Sequence, residues 1–319
     1  MDQAEKLREL VKTKRQEQGA AGGGLAGEDP DGREEYPVFD RRSAKKIIAV
    51  ASGKGGVGKS NFTVNLAIKL SKMGNRVMIL DADLGLANID ILFGINPKYN
   101  LSHIIKGEKD IKDIITETEY GVKIIASGSG VKELVNLSNQ QRQRFIDQIA
   151  ELEDMVDVFL IDTGAGISRN TLSFMYASDY SIVITTPEPT ALMDAYGLIK
   201  VVSLSKQAVP MKLIVNMVGS KEEAREIASR VILLSRRFLN TFVESLGHIY
   251  RDKNVLAGVM AQKPYSVLYP STRAAQCVNE IAEKICTRIK NDREKTAALE
   301  IEPAGGVGGV FRRVFSFLK

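Results

Sequence analysis

A chain of 319 residues, 44% apolar and 26% charged, has material for one large α/β domain or two small ones. Its net charge of +5 is mild for that length, so nucleic-acid binding is permitted but not demanded. Cys277 and Cys286 have no CxxC spacing, which excludes a zinc ribbon and a disulfide framework. No stretch is long and apolar enough to span a bilayer, and the charged N-terminus lacks a secretory signal, so the chain is expected to stay in the cytosol.

Residues 1–18 are polar, with Leu7, Leu10 and Val11 at helical spacing, which predicts a short helix. Residues 19–44 pass from a Gly/Ala stretch into an acidic, Pro-containing segment, the composition of a flexible tether. From 45 to 290, short continuous runs of Val, Ile and Leu alternate with amphipathic stretches. Strands are predicted at 47–51, 77–80, 122–126, 158–161, 182–185, 213–215 and 247–250. Helices are predicted at 61–72, 140–152, 191–205, 222–246 and 272–290. Strands buried on both faces and alternating with helices predict an α/β fold, a single doubly wound, mostly parallel sheet flanked by helices. A second linker, 291–309, leads to the terminal segment 310–319.

The chemistry begins at the first of these strands. Gly53-Lys54-Gly55-Gly56-Val57-Gly58-Lys59-Ser60 fits GxxxxGK[ST] between a buried strand and a helix, the context of a phosphate-binding P-loop. Its glycines let backbone N–H groups close around phosphate oxygens at a helix N-terminus. Lys59 is expected on the β- and γ-phosphates of ATP, and the Ser60 hydroxyl on Mg²⁺. Asp162 ends the run Val-Phe-Leu-Ile, the position of an acid that holds Mg²⁺ through water, and precedes a Thr-Gly loop suited to sensing the γ-phosphate. Asp81 and Asp83 stand two residues apart at another strand's C-terminal end, where both can address the metal and the attacking water.

Lys54, Lys59 and Ser60, followed by Asn61 and Asn65, resemble the deviant P-loop of the MinD/ParA family. The segment from Asp81 to Asp90 looks like that family's first switch, and Asp162-Thr-Gly-Ala-Gly166 like its second. Within the family, the stretch 80–94, the later Thr186-Pro-Glu-Pro-Thr190 and Asp194-Ala-Tyr196 are similar to the FlhG (YlxH, FleN) branch, which regulates flagellar number and placement. So is the N-terminal Asp2-Gln3-Ala4-Glu5-Lys6-Leu7-Arg8, which resembles the element with which that branch stimulates the GTPase FlhF. The resemblance implies an ATP-bound homodimer in which Lys54 reaches the partner's phosphates, Asp83 orients or deprotonates the attacking water, and Asn61 and Asn216 help bind the nucleotide, Asn216 at the adenine. It implies Asp2, Gln3, Ala4, Leu7 and Arg8 as the FlhF-binding residues, and flagellar basal-body or C-ring components as further partners. Tyr250-Arg251-Asp252 departs from the family's Pro-x-Asp loop near the base. No arginine finger stands out, so turnover is expected to be slow.

On a helical wheel Val310, Phe311, Val314, Phe315, Phe317 and Leu318 share one half, and Arg312, Arg313, Ser316 and Lys319 fill the other. Phenylalanines beside cations suit an anionic membrane surface, and two such tails in a dimer gain by avidity. The same face suits a groove on the chain's own domain or on a partner. A partition ATPase whose dimer binds DNA is the alternative function, with Arg225, Arg230, Arg236 and Arg237 as phosphate contacts. The three terminal phenylalanines argue against DNA. A scaffold that binds nucleotide without hydrolysing it is the third class, and the intact Lys54, Lys59, Asp83 and Asp162 argue against that.

Overall fold

The computed structural model describes residues 45–83, 88–128, 137–205, 209–298 and 306–318. The N-terminal motif and tether, residues 84–87 and Lys319 lie outside them. Eight strands form one sheet: β1 (Lys46–Ala51), β2 (Val77–Ala82), β3 (Ile115–Glu117), β4 (Val122–Ile125), β5 (Val158–Thr163), β6 (Tyr180–Thr185), β7 (Met211–Val218) and β8 (Val243–Tyr250). Their order is β3-β4-β2-β5-β1-β6-β7-β8, parallel except for β3, which pairs antiparallel with β4 at the edge. This is the doubly wound α/β sheet that the alternation of apolar runs and amphipathic stretches predicts.

The helices are α1 (Lys59–Lys72), α2 (Ile89–Phe93), α3 (Leu101–Ile105), α4 (Asn139–Ala150), α5 (Arg169–Ala177), α6 (Pro189–Leu204), α7 (Lys221–Leu239), α8 (Lys253–Met260), α9 (Tyr265–Leu268), α10 (Arg273–Ala298) and α11 (Val307–Leu318). Successive residues of the central strands point to opposite faces and both faces are covered, which is why β1, β2 and β5 read as unbroken apolar runs. Ile48, Val50, Ile79 and Leu160 pack with Phe62 and Leu66 of α1 and Val278 and Ile281 of α10. On the other face Ala49, Val183, Leu213 and Val215 meet Leu198 and Val231 of α6 and α7. The rest of that face, including Leu80 and Ile161, meets α4, α5 and α11.

One predicted helix is corrected. The stretch 222–246 does not stay helical: α7 ends at Leu239, Asn240 takes a left-handed conformation (φ 48°), and the chain enters β8 at Val243. Asparagine tolerates that conformation and closes helices there. β8 is an edge strand buried only at Val243, Leu246 and Ile249, so it lacks the continuous apolar run that marks the central strands. At the other end of the chain α10 continues past residue 290 to Ala298.

The terminal helix starts at Val307 and packs on α4 and α5. Val310, Phe311, Val314, Phe315 and Leu318 are buried and Phe317 is half-buried. Phe311 lies edge-on to Phe145 (ring centroids 5.2 Å apart) and to Phe174 (6.1 Å), and Phe317 lies 5.0 Å from Tyr176. Gly308 permits the approach, since a Cβ there would stand 2.8 Å from the Ala150 Cβ. Two arginines close the ends of the contact. Arg313 donates to the Ala177 carbonyl (3.0 and 2.6 Å), and Arg169 donates to the Phe317 carbonyl (3.1 Å). The face that suits a lipid surface is therefore docked on the chain's own domain in this structure.

Candidate nucleotide site

β1, β2 and β5 are neighbours, and Asp81 and Asp162 sit side by side in their register. Their C-terminal ends, the loop 52–58 and the start of α1 converge on one cavity of about 520 Å³, within the range of small-ligand sites. Gly55, Gly56, Val57, Gly58, Lys59, Ser60, Asn61, Asp83 and Asn216 all line it. The parallel topology thus brings together residues as far apart as Gly55 and Asn216, at the sheet edge where such folds bind ligands.

The loop has the shape its glycines require. A Cβ at Gly53 would fall 2.2 Å from the Asp194 carbonyl of α6, so only glycine lets that helix press against the loop. Gly58 has φ +87° and would meet the Asn216 amide at 2.4 Å. α1 begins directly after it, so its first N–H groups and Lys59 face the cavity, the arrangement that favours phosphate.

Asp162 is the hub. Its Oδ2 accepts from the Ser60 hydroxyl (2.6 Å) and pairs with the Lys59 ammonium (2.9 Å), while Oδ1 accepts from Thr63 (2.8 Å). The carboxylate is fully buried, so each of these partners offsets a desolvation penalty. An oxygen-only pair formed by a Ser60 hydroxyl and the Asp162 carboxylate suits Mg²⁺. No group of three or more His, Cys, Asp and Glu among the described residues forms a metal cage. A cation here would need phosphate oxygens to complete its shell, which agrees with a nucleotide site. Thr63 was not singled out from the sequence. It stands one helical turn after Lys59, and that i, i+4 spacing is the only signal that points to it.

Asp81 has a different surrounding from the one its spacing suggests. Its Oδ1 accepts the Asp83 N–H (3.1 Å), and its Oδ2 accepts the N–H groups of Asn88 (3.2 Å) and Ile89 (3.3 Å). Both oxygens shape the segment that carries Asp83 rather than standing open to a cation. Burial, with repulsion from Asp162 second, pushes its pKa up to about 7. The folded chain therefore holds this proton at pH values where the unfolded chain has released it. Stability from this group falls as pH rises from about 4 to about 7, by about 4 kcal/mol in total, and is level above. Asp81→Asn is expected to flatten that slope. Urea midpoints compared with the wild type between pH 5 and 8 check it, and parallel pH curves would refute it.

Asp83 is half-buried, and one of its carboxylate oxygens lies 3.6 Å from where a side chain on Gly164 would begin. The two switch segments thus meet at the cavity. Asn216 donates to the Val57 carbonyl (2.7 Å) and accepts the Met217 N–H (2.8 Å), so here its amide braces the P-loop. Asn65, next to the loop in sequence, joins Asn61 to Ser266 and is a structural brace.

Lys54 does not line the cavity. Its ammonium donates to Glu188 (2.6 Å) and Thr190 (2.9 Å), and Thr190 donates to Glu188 (2.7 Å). The Lys54 hydrogen bond and charge hold the Glu188 carboxyl below the usual range. This lysine is turned away from its own phosphate cradle and toward the rim, which it shares with α6.

A profile of the ParA family, described as a NUBPL iron-transfer P-loop NTPase, matches residues 43–286. The antiactivator FleN of Pseudomonas aeruginosa is 36% identical over 240 residues, covering 75% of this chain and 86% of FleN. The flagellum site-determining protein YlxH of Helicobacter pylori is 36% identical over 282 residues, covering 88% of this chain and 93% of YlxH. The MinD of Pyrococcus horikoshii, solved with Mg-ADP, superposes with a TM-score of 0.63 at 25% identity, over 78% of this chain and 98% of that one. The profile spans the cradle and both switch segments, and the relatives match along most of their lengths, so the chain belongs to the ParA/MinD family of P-loop NTPases and is an ATPase.

Proposed function

We propose that this ATPase is a nucleotide-dependent switch for flagellar number or placement, which forms a homodimer with ATP and returns to single chains on hydrolysis. The observation that carries the dimer is Lys54. A lysine in the P-loop that is turned outward to Glu188 and Thr190 is poised to act on a neighbour's nucleotide rather than its own. The flagellar assignment rests on the similarity to FleN and YlxH over most of their lengths.

Mg²⁺, when bound, supplies charge neutralisation at the β- and γ-phosphoryl oxygens. The chain's own residues do the rest. P-loop N–H groups and Lys59 hold the phosphates, Ser60 and Asp162 hold the cation's side of the site, and Asp83 orients or takes a proton from the attacking water. Asn61 helps bind the nucleotide, and Asn216 contributes at the adenine end through the loop it braces.

The docked helix α11 supports a membrane cycle in which the tail is stored in the single chain and freed in the dimer, where two tails bind anionic lipid together. Asp2, Gln3, Ala4, Leu7 and Arg8 would engage an FlhF-type GTPase, and flagellar basal-body or C-ring components are the further partners. DNA is not the main surface. On α7 and just after it, Leu233, Phe238 and Phe242 are exposed among Arg230, Arg236 and Arg237, and Arg230 is paired with Glu226. Apolar side chains between the cations suit protein docking better than a phosphate track.

Sedimentation velocity with Mg-ATP tests the reading. The wild type is expected to double in mass and Lys54→Ala to remain single while still binding nucleotide. Dimerisation of Lys54→Ala at the wild-type concentration would overturn the trans role of this lysine.

A further inference from the structure

We infer that Thr63 is a positioning residue for the Mg²⁺ side of the site: it holds the Asp162 carboxylate in place when the nucleotide draws the other two partners away. The inference deepens the ATPase reading and rests on Asp162 being the residue that holds Mg²⁺.

Among the described residues Asp162 has three side-chain partners, Ser60, Lys59 and Thr63. Two of them have other duties in an ATPase. Lys59 must turn to the phosphates, and the Ser60 hydroxyl must turn to the cation. Both are bound to Oδ2, so both depart from the same oxygen. The Thr63 hydroxyl lies on Oδ1, at 2.8 Å, and has no phosphate or cation to serve.

Its position is dictated by the helix. Thr63 lies four residues after Lys59 on α1, so both side chains emerge on one face toward β5. A buried threonine in a helix ordinarily satisfies its hydroxyl on the carbonyl four residues back, and here the Lys59 carbonyl lies at 3.0 Å. The hydroxyl has one proton, and the carboxylate is both the nearer acceptor and the charged one, so the bond to Asp162 is the stronger. Thr63 and Asp162 are both fully buried. With both shielded from solvent, a rotated carboxylate would leave Oδ1 a buried acceptor without a partner. With Oδ1 held, the plane of the carboxylate is set and Oδ2 stays aimed at Ser60. Partners that orient a metal-holding group typically change metal affinity by about 10–100-fold when removed.

The test is Mg²⁺ titration of the full chain with a fluorescent ADP analogue. Thr63→Val keeps the shape and removes the hydroxyl, Thr63→Ser keeps the hydroxyl, and Asp162→Asn calibrates the acid itself. Thr63→Val is expected to raise the half-saturating Mg²⁺ concentration about tenfold or more. Thr63→Ser should return it to near the wild-type value. Affinity for the analogue in EDTA should be the same for the three Thr63 forms, which a merely structural role would not produce. Thermal melts accompany each variant, and Thr63→Ala replaces Thr63→Val if the latter does not melt cooperatively. An unchanged Mg²⁺ requirement in Thr63→Val while Asp162→Asn shifts it would overturn the role of Thr63 alone. So would loss of EDTA affinity in parallel with Mg²⁺ affinity, or failure of Thr63→Ser to rescue. If Asp162→Asn itself leaves the Mg²⁺ requirement unchanged, the reading of Asp162 fails and that of Thr63 fails with it.

Discussion

Asp83→Ala is expected to slow ATP hydrolysis by about 10²–10⁴-fold, the usual contribution of a positioned proton acceptor, while leaving ATP binding and pairing of the chains in place. The separation follows from the geometry. Asp83 reaches the cavity wall beside Gly164 of the second switch, whereas the cradle is built by residues 55–60 and the acid hub by Ser60, Thr63 and Asp162. Asp162 is held by Ser60, Lys59 and Thr63, and the P-loop by Asn216, and those bonds are kept when the Asp83 carboxyl is removed. Single-turnover phosphate release and sedimentation in ATP are the two measurements. A variant that loses dimer and hydrolysis together would show that Asp83 shapes the ATP-bound state rather than the chemical step. Asp81→Ala makes the useful contrast, because its oxygens tie down the N–H groups of Asp83, Asn88 and Ile89. That change is expected to damage the loop itself.

On the proposed membrane cycle, Phe174→Ala is expected to let lipid capture the tail without ATP. Phe174 is 1% exposed and forms part of the floor under Phe311. Truncating it opens a cavity beneath the tail helix and costs roughly 3–5 kcal/mol of packing, shared between the domain core and the docked helix. The tail's own sequence is untouched, so its affinity for lipid is not altered, only its affinity for the groove. Anionic vesicles should therefore pellet Phe174→Ala with ADP as well as with ATP, and the same variant lacking residues 307–319 should stay in solution. Pelleting of Phe174→Ala that still requires ATP to the wild-type degree would show that the groove and the lipid do not compete for this face. Phe311→Ala is the poorer experiment, since it weakens both occupants at once.

The central strands and the cradle were readable because one physical rule produced both signals. A strand buried on two faces must be continuously apolar, and β1, β2 and β5 are, so the glycines and acids that follow each run stand out at their C-terminal ends. The edges of the sheet obey no such rule. β3 is three residues, Ile-Thr-Glu, none of them buried, and β8 is buried only at every third position, so neither carries the apolar run of a central strand and the start of β8 reads as the end of a helix. α5 is nine residues of mostly weak helix formers and reads as loop. Within the site, spacing identified which acids gather but not what each one bonds. Asp81 and Asp83 look alike in sequence, and only the fold turns the first onto backbone N–H groups. Glu188 and Thr190 meet Lys54 across more than 130 residues, a contact that only the packing of α6 on the P-loop creates. Periodicity likewise gave the tail an apolar face without saying what covers it, because lipid and a phenylalanine-lined groove ask for the same pattern.

Helix α5 is held at both ends by parts with different duties. At its start Ser168 caps the Thr171 N–H and the Thr171 hydroxyl donates to the Gly164 carbonyl (3.1 Å) in the second switch. At its end the Ala177 carbonyl receives Arg313 of the tail. Nine residues make a rod roughly 13 Å long, and a hydrogen-bonded helix that short moves as one piece. In the proposed cycle the second switch and the tail are thus joined through one short element. Thermodynamic reciprocity then runs in both directions: by whatever factor ATP loosens the tail, loss of the tail tightens ATP. An anionic membrane that captures the tail is on these terms an effector of ATP affinity, and the bilayer would act as a ligand that regulates the enzyme as well as the place where it rests.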